Sequence, residues 1–155
     1  MKKILKITGI VFASFIGLAI IGSIIGGSSG PKVEKTTLAD GSSSYQVQVE
    51  SKDHDGTKKD VSFTVTDSVM KAKNLNEEKL VNLCKEAVGW AAFGAKNRLT
   101  YKIGSMGFLA IDDKGVLYAY ITGEAQNSFG VPSTISTTIP FKNNSEVDID
   151  NITAF

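Results

Sequence analysis

The chain has 155 residues, 42% of them hydrophobic, with a formal net charge of +1 and a single cysteine. That length holds one domain beyond its N-terminal apolar run, and about 120 residues suffice to bury a core without disulfides or metal. The lone Cys84 excludes an internal disulfide and a thiolate metal site, and residues 32–155, near neutral in charge, lack the basic footprint of a nucleic-acid binder.

Lys2, Lys3 and Lys6 precede Ile7–Ile25, a run without any charged side chain. As a helix it would measure roughly 28 Å, close to the thickness of a hydrocarbon core. Lysines before the run and none directly after it place the N-terminus in the cytoplasm and residues 32–155 outside. The run is read as a transmembrane anchor, with a cleaved signal peptide as the rival reading. Gly26-Gly27-Ser28-Ser29-Gly30 offers small residues for cleavage but no cysteine for lipid attachment. Gly9, Ala13 and Gly17 recur every fourth residue, a spacing that lets two membrane helices approach as a homodimer. Glycine is also simply common in such helices, and that plainer reading is preferred.

The division read from sequence is a cytoplasmic start over 1–6, an anchor over 7–26, a flexible stalk over 27–44 and an extracytoplasmic domain over 45–155. Tyr45, Val47 and Val49 alternate with polar residues, as do Val61, Phe63 and Val65. Asp53-His54-Asp55-Gly56 between them predicts a β-hairpin. A helix is expected to start near Asn74-Leu75-Asn76, with Glu77 and Glu78 in its first turn. Leu80, Leu83, Cys84, Ala87, Val88, Ala91 and Ala95 follow at helical spacing, and Lys96 and Asn97 fall near its end. Trp90 and Phe93 widen that apolar surface. Strands are predicted at Phe108–Ile111, Val116–Thr122 and Val131–Phe141, with a turn at Asp112-Asp113-Lys114-Gly115. The expected fold is α+β: a transmembrane helix, then a β-β-α-β-β-β domain with one helix on a mainly antiparallel sheet.

Candidate chemistry is sparse. His54, between Asp53 and Asp55, has the residue types of a metal or acid–base site, but a hairpin tip lacks convergent ligands. Lys58 and Lys59 stand where a calcium loop would need oxygens. Cys84 lies on the apolar stripe of the helix, where a thiol behaves as a small hydrophobe. No nucleophile–base–orienter set is found, so no catalytic, metal-ligating or cofactor-binding residue is assigned.

The run Gly123 to Gly130 closes the fourth predicted strand. Asn127 suits a side chain-closed turn, Gly130 suits positive φ, and Phe129 is expected to return to the core. Ala125-Gln126-Asn127-Ser128-Phe129-Gly130 resembles the A-x-N-x-F-G strand ending of small bacterial membrane-anchored or lipoprotein-like envelope domains of unassigned function. That resemblance covers Tyr118 to Phe141. It implies an envelope location. Gln126 and Asn127 carry amides suited to binding a ligand, so Gln126, Asn127, Phe129 and Gly130 are read as partner-binding candidates beside the plainer reading of a structural turn. The function expected is a membrane-anchored extracytoplasmic interaction module, bacterial or phage-encoded. It would contact the bilayer through residues 7–26 and an envelope protein through its domain, without cofactor. The alternative is a small hydrolase secreted after signal-peptide cleavage.

Overall fold

Alternation of apolar and polar side chains gives the outer strands one buried and one open face. In the computed structural model, which describes residues 30–39, 41–143 and 145–155, these strands form one sheet in sequence order. They are β1 (Lys32–Thr37), β2 (Ser43–Lys52), β3 (Lys58–Thr66), β4 (Lys102–Ile111), β5 (Leu117–Gln126), β6 (Pro132–Phe141) and the short β7 (Thr153–Ala154). Every neighbouring pair is antiparallel except β3 and β4. A parallel pair needs a crossover, and the helical segment supplies it. The fold is therefore α+β, with one long helix on a mostly antiparallel sheet.

That crossover holds α1 (Asp67–Ala72) and α2 (Glu77–Trp90). Asn76 caps α2, its Oδ1 accepting from the Lys79 N–H at 2.8 Å, and Glu77 and Glu78 favour the positive end of the helix dipole. Leu80, Leu83, Cys84 and Ala87 bury the stripe against the sheet. The α-helix stops a turn earlier than expected. From Ala91 to Gly94 the chain tightens into a 3-10 turn, and the Ala91 carbonyl accepts from the buried Thr137 hydroxyl on β6 at 3.1 Å.

The core lies between α2 and the inner face of β2–β6, with Val47, Val61, Phe63, Leu80, Ile121 and Ile139 fully enclosed. The outer face is polar at β2 and β3 but carries the Phe108–Tyr120 stack, with ring centroids 4.8 Å apart.

Five turns share one hydrogen-bond pattern. In each, the first N–H donates to the carbonyl four residues on, and the fourth N–H donates back to the first carbonyl. They begin at Leu38, Asp53, Asp112, Asn127 and Lys142, and the fourth residues Gly41, Gly56, Gly115, Gly130 and Ser145 all have positive φ. This is the three-residue hairpin loop closed by a left-handed residue.

Several expectations are corrected. Residues 32–37, assigned by composition to the stalk, form edge strand β1 along β2. Phe129 does not return to the core; it is 89% exposed, because its turn lies beyond the last strand pair, Gln126–Pro132, where no helix covers it. The strand expected to begin at Phe108 begins at Lys102, and α1 and β7 were not expected. Residues 7–26, with the Gly9, Ala13 and Gly17 spacing, lie outside the described residues, among which no helix is long and apolar enough to cross a membrane.

Candidate functional site

Helical periodicity places Lys85, Val88, Gly89 and Ala92 on one stripe, three and four residues apart. That stripe faces the hairpin end of β2, and a cleft of about 440 Å³ opens between them. Glu50 to His54 form the opposite wall, Tyr101 and Ile103 the floor, and Arg98 and Leu99 close one end. Gly89 gives the cleft its width on the helix side, since a Cβ there would meet nothing within 4 Å. A second hollow, of about 60 Å³ between β1, β2 and β3, has room for little more than water.

The charges around the cleft fall into two groups. Glu50 pairs with Lys58 at 2.9 Å, and Asp53 Oδ1 accepts from the Ile103 N–H at 3.1 Å. Lys52, Lys85 and Arg98 have no ion pair among the described residues. Arg98 instead lies over the Phe93 ring at 3.8 Å, and Phe93 meets Trp90 edge-on at 5.3 Å. This stack orients the guanidinium while leaving its N–H donors for a ligand. The cleft thus has an apolar floor and three cations without an ion pair, Lys52, Lys85 and Arg98, in its lining.

Tyr101 is the buried polar group beneath it, 5% exposed, its hydroxyl without a hydrogen-bond partner among the described residues. Burial pushes that hydroxyl up to about 12, a shift opposed in part by the nearby Thr137 hydroxyl. It is a neutral phenol at physiological pH.

The residues singled out in the sequence separate. His54 does line the cleft, at the tip of the predicted turn. Its neighbour Asp55 is held below the usual carboxylate range chiefly by the Thr57 N–H, bonded to Oδ1 at 2.9 Å. Asp53 and Asp55 are thus engaged with backbone. Cys84 is fully buried on α2, and burial pushes its thiol well above the ordinary value. Asn127 Oδ1 accepts from the N–H groups of Phe129, at 2.9 Å, and Val131, at 3.1 Å. Those bonds close the turn. The Gln126 N–H donates to Thr100 Oγ1 at 2.9 Å, joining that turn to the 3-10 segment Arg98–Thr100. No three of His, Cys, Asp and Glu converge among the described residues.

Sequence reasoning missed Lys85, Gly89, Arg98 and Tyr101. Gly89 interrupting a helical stripe was the available signal. The remainder depend on the crossover bringing residues 98–103 beneath the β2 hairpin. Comparison of the chain with family models, curated proteins and solved structures gave no match.

Proposed function

We propose that this chain is a membrane-anchored, outward-facing binding module of the cell envelope, whose partner seats in the cleft between α2 and the β2 hairpin. The observation that carries the binding site is the cleft itself: an apolar floor with Lys52, Lys85 and Arg98 unpaired at its rim. Such a lining suits a protein segment presenting an apolar side chain beside a carboxylate. The anchor rests on the uncharged run Ile7–Ile25 behind three lysines. The A-x-N-x-F-G resemblance agrees with an envelope location, bacterial or phage-encoded, by analogy alone.

No observation favours the hydrolase reading. Glu50 and Asp53, the two carboxylates on the cleft, are committed to Lys58 and to the Ile103 backbone.

Two experiments test the two parts. The full chain should sediment with membranes, resist high salt, and lose residues 32–155 to protease added outside spheroplasts. Ile16→Asp, costing on the order of 3 kcal/mol at mid-bilayer, should impair insertion. A soluble product beginning near Gly30 would sink the anchor. For the cleft, Gly89→Trp directs an indole into the space from a Cβ that meets nothing within 4 Å. It should abolish in-cell cross-linking of the envelope partner captured by the parent chain, and an unchanged cross-link would refute the site.

A further inference from the structure

The strand registers fix which end of the domain lies nearest the N-terminal apolar run. Lys32 opens β1 opposite Gln48, four residues short of the Lys52 end of β2. The same end holds the turn at Asp53, tied through its carboxylate to Ile103 at the start of β4. Lys102 pairs with Glu124 near the end of β5, and Gln126 then bonds Thr100 before the turn at Asn127. Thus β1's start, the Arg98–Thr100 turn and the Asn127–Val131 turn share one end. The turn at Asp112 lies at the other, roughly 33 Å away along β4.

Gly26–Pro31, the stretch between the apolar run and β1, has a contour of at most about 20 Å. A domain on so short a tether keeps one end close to the bilayer, and it is this end. Here Phe129 is 89% exposed at a turn tip and Leu99 is 68% exposed on the adjoining 3-10 turn, with Val131 exposed beside them. Lys52, Arg98 and Lys102 lie at that end, Lys52 closing β2, Lys102 opening β4 opposite Glu124 and Arg98 opening the adjoining 3-10 turn. Apolar tips with basic neighbours are the composition of an interfacial membrane contact.

We infer that the end carrying Phe129 and Leu99 docks on the surface of the same bilayer that anchors the chain, with the Phe129 ring seated among the acyl chains. The inference rests on the anchored reading above. Docking holds the domain upright, with the Arg98–Leu99 end of the α2 cleft next to the bilayer.

The test uses the full chain carrying Cys84→Ser, reconstituted in nanodiscs of phosphatidylethanolamine and phosphatidylglycerol. A nitroxide is attached at Ser128→Cys, or in a separate sample at Asp113→Cys. Relaxation by dissolved oxygen, which partitions into lipid, is compared with relaxation by a water-soluble nickel chelate. At position 128 the ratio should favour oxygen about tenfold more than at 113, and adding Phe129→Ser should remove that excess, since the transfer of the ring into lipid is forfeited. A ratio at 128 equal to that at 113, in chains that co-elute with the discs, overturns the docking and leaves the anchor standing. Failure to co-elute with discs overturns both. Dipolar broadening between labels at 128, without the oxygen excess, would assign this end to a second copy of the chain instead.

Discussion

The ring of Tyr101 occupies the space that a side chain at residue 123 would fill. A Cβ built on Gly123 would stand 2.5 Å from the tyrosine hydroxyl and 2.6 Å from its Cζ. A central strand of the sheet thus carries a glycine so that the phenol beneath the cleft can lie against bare backbone.

Gly123→Ala should therefore destabilise the domain by about 1–3 kcal/mol, because the ring is enclosed and has no room to retreat. Urea denaturation measures the loss. Tyr101→Leu, poorer on its own, should recover part of it in the double variant. Additive losses would show that the two residues are not coupled.

Tyr101 also makes a pH prediction. Its folded value is raised from 10.0 to about 12, so its contribution to stability is complete below pH 10 and is lost as the pH climbs towards 12. Thermal unfolding followed across that window should show the parent falling more steeply than Tyr101→Phe. Because the hydroxyl has no hydrogen-bond partner among the described residues, the Phe variant should equal or exceed the parent at pH 7. Parallel slopes would mean that the phenol ionises as freely in the folded chain as in the unfolded one.

Cys84 should be inert while the domain is folded. Its thiol is enclosed on α2 and raised by burial, so little thiolate reaches a reagent. Labelling by a maleimide at pH 8 should track global opening and accelerate in urea. Cys84→Ala should cost about 1 kcal/mol, and Cys84→Ser somewhat more for its buried hydroxyl. Rapid labelling of the folded chain would show that the α2 stripe opens to solvent.

In the Asn127 turn, backbone geometry sets the ranking. Asn127→Ala removes an acceptor shared by two N–H groups and should cost about 1 kcal/mol. Gly130→Val should cost more, because φ there is +76° and a β-branched residue resists that region. Phe129→Ser, at an exposed tip, should change folding stability by less than about 0.5 kcal/mol. A large loss from Phe129→Ser would mean that its ring packs within the domain.

Much of this architecture was written locally. Alternation at Tyr45–Val49 and Val61–Val65, the cap at Asn76 and the turn residues at Asp53, Asp112 and Gly130 are short-range signals that the finished domain obeys. Each is a choice made between neighbours in the chain, so the sequence alone determined an α+β domain with hairpins and one amphipathic helix. Apart from the short helix α1 and Gly89, the misses are questions of distant contact. Lys32–Thr37 lacks an apolar pattern and becomes a strand because β2 offers it a free edge. The start of β4 is broken by Gly104 and Gly107, which hides its period. At Gly107 a Cβ would stand 2.7 Å from the Phe63 ring, so the glycine serves the packing of another strand. Phe129 was expected inside because it is apolar, and lies outside because its turn projects beyond the layer that would have covered it. The cleft is tertiary throughout: the parallel register of β3 and β4 sets Arg98 to Ile103 beneath the β2 hairpin, and no local signal encodes a pairing across 44 residues such as Lys59 to Ile103.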